Sequence, residues 1–190
     1  MRIKYNAPVV LSFTIACFAA TVLDVLSGSK ITRLVFCTYR SSLLDPMFYL
    51  RLFTHVIGHS GWDHFIGNAT YLLLLGPLLE EKYGYKTLLK AILITALATG
   101  IINALFFPNV ALCGASGVVF AFILLASFTE FKKGDIPLTF ILVSVIYLGH
   151  QILDGIFIQN NISNMAHIVG GVVGAIFGYA LNMKKAHKRR

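Results

Sequence analysis

The chain has 190 residues, of which 57% are hydrophobic and 13% are charged, and it carries a formal net charge of +8. A soluble domain has about 45–50% apolar and about 25% charged residues, so the composition excludes a soluble domain and indicates an integral membrane protein. The positive charge does not indicate a nucleic-acid partner, because much of it lies in one cluster directly after an apolar segment. Such a cluster is typical of a cytoplasmic anchor. Its residues are Lys184, Lys185, Lys188, Arg189 and Arg190.

Apolar segments long enough for membrane-spanning helices, which need about 20 residues, recur along the chain. The first follows Arg2 and Lys4, and we interpret it as a retained span because it is too long for a signal peptide and lacks a clear cleavage site. The pattern predicts an all-α membrane protein with a single transmembrane domain over residues 1–190. The six predicted spans are 8–28, 62–79, 87–107, 115–131, 136–156 and 165–183.

Two connecting segments differ from ordinary solvated linkers. Ser29–Gly61 mixes apolar and aromatic residues with charged ones, which predicts short amphipathic helices lying in the membrane interface. Gly155–Asn164 leads directly into His167, and its position predicts a lid over that residue.

Lysine and arginine placement predicts that both termini are cytoplasmic. In that orientation, of the 16 Lys and Arg residues, twelve lie inside and only Lys30, Arg33, Arg40 and Arg51 lie outside, as the positive-inside tendency requires. The starts of the second, fourth and sixth spans then lie at one depth, towards the outer leaflet.

The fourth predicted span is short. About 16 residues at 1.5 Å each reach about 24 Å, less than a hydrocarbon core of about 30 Å. Its first turn carries Ser116, and Phe107-Pro108-Asn109 before it is a helix stop. We therefore expect irregular backbone to enter the membrane here, packed against protein or water.

Two polar residues at helix starts predict acyl-transfer chemistry. Ser116 is the candidate nucleophile and His167 the candidate base that takes its proton. Ionisable groups at membrane depth are costly and tend to mark function. Asp154 is the nearest acidic candidate for a triad, but nothing ties it to the imidazole, so we predict a Ser–His dyad.

Hydrogen-bond donors for an oxyanion are predicted on a second helix. His64 and Asn68 are four residues apart and share one helix face. Together with the backbone N–H groups of Ser116 and Ala115, they are candidates to stabilise a tetrahedral oxyanion.

Glycines near both catalytic candidates predict close backbone contact. Gly114 and Gly117 flank the serine, and Gly170 and Gly174 begin a series of small residues along the last span. Small residues at this spacing permit tight helix packing in lipid. Contact between the fourth and sixth spans would bring Ser116 and His167 within hydrogen-bond reach.

These motifs resemble the rhomboid family of intramembrane serine proteases over nearly the whole chain. Gly114–Gly117 resembles the GxSG motif, Ala166–Gly174 the AHxxGxxxG motif, and His64–Asn68 the HxxxN motif of that family. The resemblance implies a six-helix core that hydrolyses peptide bonds in transmembrane substrates, with no cofactor and no metal. Two positions depart from the pattern: Leu50 stands where tryptophan is usual, and Phe120 where an aromatic, often tyrosine, supports the histidine ring.

Two other functions remain open at this point. His55 and His59 are four residues apart, a spacing that would suit a metal pair on a helix, as in a membrane oxidase or a zinc protease. A rhomboid-like pseudoprotease that only binds membrane clients is the other alternative, although both Ser116 and His167 are present. Cys17, Cys37 and Cys113 predict neither a disulfide framework nor a zinc site.

The predicted activity is endoproteolysis of single-pass transmembrane proteins near the outer membrane face. The predicted partners are such substrates and the lipid bilayer, and the predicted location is a prokaryotic plasma membrane. Neither the oligomeric state nor the substrate follows from the sequence.

Overall fold

The computed structural model describes residues 2–128, 135–150, 152–153 and 161–188, with side chains in the last range described for 164–183. The described residues are helical without any strand, and a single antiparallel bridge joins Thr38 to Leu112. In chain order the helices are α1 (Pro8–Ser27), α2 (Lys30–Val35), α3 (Pro46–Thr54), α4 (Trp62–Tyr83), α5 (Tyr85–Phe106), α6 (Ser116–Ser127), α7 (Leu138–Val143), which continues as a π-helical turn (Ser144–Leu148), and α8 (Asn161–Lys188).

Within the described part of the chain, three helices are long and apolar enough to cross a membrane: Pro8–Ser27, Tyr85–Phe106 and the Asn164–Met183 part of α8. Helix α6 has 12 residues, about 18 Å of helix, so the fourth predicted span is short as expected. The ends of the fourth and fifth predicted spans, at 129–131 and 154–156, lie outside the described residues.

The junction between α4 and α5 differs from the predicted boundaries at 79 and 87. Helix α4 continues to Tyr83 and α5 begins at Tyr85, so Gly84 alone separates them. Gly84 has a φ of 82°, a left-handed conformation that glycine adopts without strain. The prediction ended too early because polar residues ended the apolar run, whereas the helix continues through them.

Helix α6 lies at the centre of the bundle and packs closely against α8. A methyl group built on Gly170 would lie 2.0 Å from the Gly117 carbonyl oxygen, and one on Gly174 would lie 2.1 Å from that of Ala121. No side chain fits at such distances, so the two backbones are in direct contact. The predicted contact between the fourth and sixth spans is confirmed.

Helix α4 also fixes the beginning of α1. The two carboxylate oxygens of Glu80 accept hydrogen bonds from the backbone N–H groups of Val9 and Val10, each at 3.0 Å. These N–H groups have no partner inside their own helix, and a carboxylate there also interacts favourably with the helix dipole. The Glu80 carboxylate, near the end of α4, therefore caps the start of α1.

The segment between α1 and α4 contains the short helices α2 and α3, as predicted. Arg51 of α3 is 2% exposed, and its guanidinium forms an ion pair of 2.8 Å with Asp45. It also donates to the Leu34 carbonyl and lies over the Tyr39 ring at 4.4 Å from the centroid. The buried arginine therefore holds this segment together as one folded unit.

Candidate functional site

A cavity of about 560 Å³ lies among α4, α6, α7 and α8. Five of the predicted site residues line it, from three different helices: Ser116, Phe120, His64, Asn68 and His167. The fold thus gathers at one cavity the candidate nucleophile, base and oxyanion donors, which are far apart in the sequence. Residues 155–160 of the predicted lid Gly155–Asn164, and Asp154, lie outside the described residues, and the remaining residues 161–164 form the start of α8.

Ser116 is the first residue of α6, directly after a loop that the rest of the fold holds in place. The Gly114 N–H donates to the His55 carbonyl oxygen at 2.9 Å. Gly114 has a φ of 129°, and a methyl group built on it would lie 2.7 Å from the His64 ring. Only glycine adopts this positive φ without strain and leaves room for the His64 ring, which explains why glycine stands at this position.

His59 is a site residue whose role the sequence analysis missed. It is fully buried, its Nδ1 lies 3.0 Å from the Ile57 carbonyl oxygen, and its Nε2 lies 3.4 Å from the Ala115 backbone nitrogen. The Ala115 N–H must be the donor, so His59 carries its proton on Nδ1 and donates to Ile57. His59 therefore holds the residue just before Ser116, and no sequence spacing signals that contact.

The histidines at 55 and 59 do not form the helical pair that a metal site would use. Helix α3 ends at Thr54, so the two residues do not share one helix face, and the spacing that left a metal enzyme open as an alternative does not correspond to a helical pair. His55 Nδ1 lies 3.0 Å from the Arg51 carbonyl oxygen and Nε2 lies 3.1 Å from Thr99 Oγ1. Across the described residues, no group of three His, Cys, Asp or Glu is arranged to hold a metal ion.

Burial keeps both of these imidazoles neutral. Desolvation lowers the pKa of His55 to about 4, although its hydrogen bonds to the backbone act in the opposite direction and raise the pKa. Desolvation, and then the charge of His64, lower the pKa of His59 to about 4. Both are therefore uncharged hydrogen-bonding groups at neutral pH.

The His167 ring stacks on Phe120. The ring centroids are 4.3 Å apart and the planes differ by 4°, so phenylalanine provides the stacking expected at this position. Tyr147 packs edge-on against Phe120, with ring centroids 6.0 Å apart, and both Tyr147 and Tyr71 line the cavity. Two tyrosine hydroxyl groups, one from α4 and one from the π-helical turn after α7, therefore lie at the cavity. The sequence analysis did not identify them.

His64 and Asn68 lie one turn apart on α4 and face the cavity. His64 Nδ1 lies 3.2 Å from Ser60 Oγ. The Asn68 side chain is 7% exposed, and its Nδ2 has no hydrogen-bond partner among the described residues. A buried donor without a partner costs about 1–3 kcal/mol, so an oxygen atom entering the cavity would find a donor ready to bind it.

Residues 47–184 match the family model of the rhomboid domain. Curated relatives include RHOMBOID-like protein 4 of Arabidopsis thaliana, 28% identical over 130 residues (65% of this chain, 32% of that protein). Rhomboid-related protein 1 of Caenorhabditis elegans is 27% identical over 140 residues (69% and 39%). Rhomboid protease GlpG of Haemophilus influenzae is 24% identical over 132 residues (68% of each). The chain therefore spans well under half the length of the first two relatives.

Proposed function

The chain belongs to the rhomboid family and is an integral membrane protein, and from that premise we propose that it is an intramembrane serine endopeptidase. Its proposed substrates are single-pass transmembrane proteins, cut near the outer membrane face. The observation that carries the proposal is the cavity shared by Ser116, His167, His64 and Asn68. These residues supply a hydroxyl, an imidazole and two side-chain donors, the groups that acyl transfer requires.

In the proposed reaction, Ser116 Oγ attacks the substrate carbonyl carbon while His167 accepts the hydroxyl proton. The tetrahedral intermediate collapses to an acyl-enzyme, and the same imidazole gives the proton to the leaving amine. Water then hydrolyses the ester, with His167 again acting as base. The Phe120 ring, stacked on the imidazole, supports its orientation for these transfers.

The proposed oxyanion donors are the Ser116 backbone N–H and the side chains of His64 and Asn68. The unpartnered Asn68 Nδ2 supports this role, because a substrate oxyanion would supply the hydrogen bond that the resting site lacks. The Ala115 N–H, predicted from the sequence as a further donor, donates to His59 instead. We therefore assign the backbone contribution to Ser116 alone.

The proposed topology has six spans with both termini in the cytoplasm of a prokaryotic plasma membrane. This arrangement places the start of α6 towards the outer leaflet, which water can reach from outside. We propose lateral entry of the substrate beside α7. Ile146 and Tyr147, in the π-helical turn that continues α7, line the cavity on that side, which supports this route.

The test is cleavage of a model single-pass substrate by the purified chain in liposomes. Loss of a dyad member typically lowers kcat by about 10³-fold or more, so Ser116→Ala and His167→Ala should each abolish detectable product. Ser127→Ala, at the other end of α6, is the matched control and should cleave normally. Equal cleavage by the parent and Ser116→Ala would overturn the proposal, as would activity that a chelator removes. No cleavage by the parent would favour a pseudoprotease.

A further inference from the structure

Cys37 and Cys113 face each other across the backbone bridge beside the cavity. Thr38 and Leu112 exchange both of their backbone hydrogen bonds, each at 2.9 Å. In an antiparallel pair, the residues next to such a position form a non-hydrogen-bonded pair, with Cα atoms about 4.5 Å apart. Cys37 and Cys113 are that neighbouring pair. A disulfide requires Cα atoms about 4.4–6.8 Å apart, so the register of the bridge is compatible with a disulfide between them.

The two thiols are close enough to influence each other electrostatically, and the backbone around them is fixed. Buried Asn103 donates to the carbonyl oxygens of Thr38 and Val110, which pins both sides of the bridge. The backbone segments that carry the two thiols are therefore held side by side.

An oxidant in solution can reach the pair through the cavity. Cys113 is partly exposed and lines the cavity with Ser116, whereas Cys37 lies behind it at 7% exposure. Interaction with Cys113 lowers the pKa of the Cys37 thiol, whereas interaction with Cys37 and burial raise the pKa of the Cys113 thiol. Cys37 is therefore the more acidic of the two thiols.

We propose that Cys37 and Cys113 are a redox pair that a low-molecular-weight disulfide converts to an intrachain disulfide in the cavity wall. One protein sulfur, as the thiolate, attacks the small disulfide and releases one equivalent of small thiol. The second protein sulfur then displaces the other equivalent, and the two protein protons pass to the released thiolates. Two protein thiols are oxidised and one disulfide is reduced.

The disulfide would join the segment before α3 to the residues that lead into Ser116. Gly114, next to Cys113, is already bonded to His55, so the link would add a covalent restraint to a loop held by hydrogen bonds. This inference concerns a modification site and does not rest on the proposed proteolysis.

The test is a count of thiols on the purified full chain in lipid nanodiscs treated with 2-hydroxyethyl disulfide. After removal of the reagent, the chain is denatured, alkylated with N-ethylmaleimide and weighed by mass spectrometry. The untreated chain should take three labels, one on each free cysteine. The treated chain should take one label, on Cys17, and release two equivalents of small thiol. Reductant should restore all three labels.

Single serine variants separate the possible outcomes. Cys17→Ser should take no label after treatment and should give a peptide containing linked Cys37 and Cys113. In Cys37→Ser, any oxidised Cys113 should persist as an adduct with the small thiol. Three labels on the treated parent would overturn the proposal. It would also be overturned if the treated parent carried the small thiol as an adduct on Cys113, as Cys37→Ser does, in place of the linked pair. A linkage between two chains would also overturn it.

Discussion

Asn68 and Asn103 are both buried asparagines, but their amide groups have different surroundings. Asn103 Nδ2 donates to two backbone carbonyls, at 3.2 and 3.1 Å, whereas Asn68 Nδ2 has no partner within the described part of the chain. The first amide stabilises the loop before α6. The second faces the cavity and, in the proposed mechanism, donates to the oxyanion.

The two asparagines should therefore respond differently to replacement by alanine. We expect Asn68→Ala to lower kcat by about 10²–10³-fold with little change in the midpoint of thermal unfolding. Asn103→Ala should lower the free energy of unfolding by about 1–3 kcal/mol, because it removes the donor of the Val110 carbonyl and one of the two donors of the Thr38 carbonyl. Thermal unfolding and substrate cleavage measured on both variants check this. If Asn68→Ala is the less stable of the two, its amide has a structural role.

The buried imidazoles predict that the fold weakens in mild acid. The pKa of His59 is about 4 in the folded chain and about 6.5 when exposed, so the unfolded chain binds the proton more tightly. The neutral His59 imidazole therefore stabilises the folded state fully above pH 6.5. As the pH falls towards 4, about 3 kcal/mol of the free energy of unfolding is lost. His55 acts in the same direction.

Unfolding midpoints at pH 7 and pH 4.5 test this expectation. His59→Gln keeps a neutral polar side chain and cannot take up a proton, so the difference between the two pH values should shrink in the variant. An unchanged difference would show that His59 is not responsible for the acid sensitivity.

At the scale of helices, the contact between α6 and α8 gives the sharpest mutational contrast. A methyl group on Gly174 would meet the Ala121 backbone at 2.1 Å, whereas one on Gly171 would meet the end of the Leu148 side chain at 2.6 Å. A side-chain terminus can rotate away, but a packed backbone can move only with its helix. The two glycines lie on one helix and differ in what they contact.

Gly174→Ala should therefore separate α6 from α8 and destabilise the protein by about 1–3 kcal/mol or more, the usual cost of overpacking. Gly171→Ala, its control on the same helix, should cost much less. Thermal unfolding in detergent, together with cleavage by each variant, compares them. Equal loss in both variants would contradict the contact described for Gly174.

The sequence predicted helices and close contacts better than it predicted boundaries. The α6–α8 contact followed from glycine spacing because only glycine permits such an approach. The position of the α4–α5 junction could not be predicted in this way, because polar residues that follow an apolar run can either end a helix or extend it. The hydrogen bonds of Glu80 to the start of α1 depend on the antiparallel packing of two helices, which no local pattern encodes.

Across the whole molecule, family membership agrees with the sequence analysis, and five of the predicted site residues line one cavity. The roles of His59, Tyr71 and Tyr147 could not be predicted, because each depends on contacts between distant segments. The six-span topology stays a prediction, since charge placement indicates orientation without fixing each crossing. A site assembled from α4, α6 and α8 also explains why activity would depend on the intact bundle.

The central claim is that His167 activates the hydroxyl of Ser116. A fluorophosphonate reacts covalently with a serine that a neighbouring base has activated, so its mass adduct locates the nucleophile directly. We predict one adduct on the peptide containing Ser116, with the adduct absent in Ser116→Ala and strongly reduced in His167→Ala. An adduct that forms equally well without His167, or on another residue in place of Ser116, would contradict the proposed dyad.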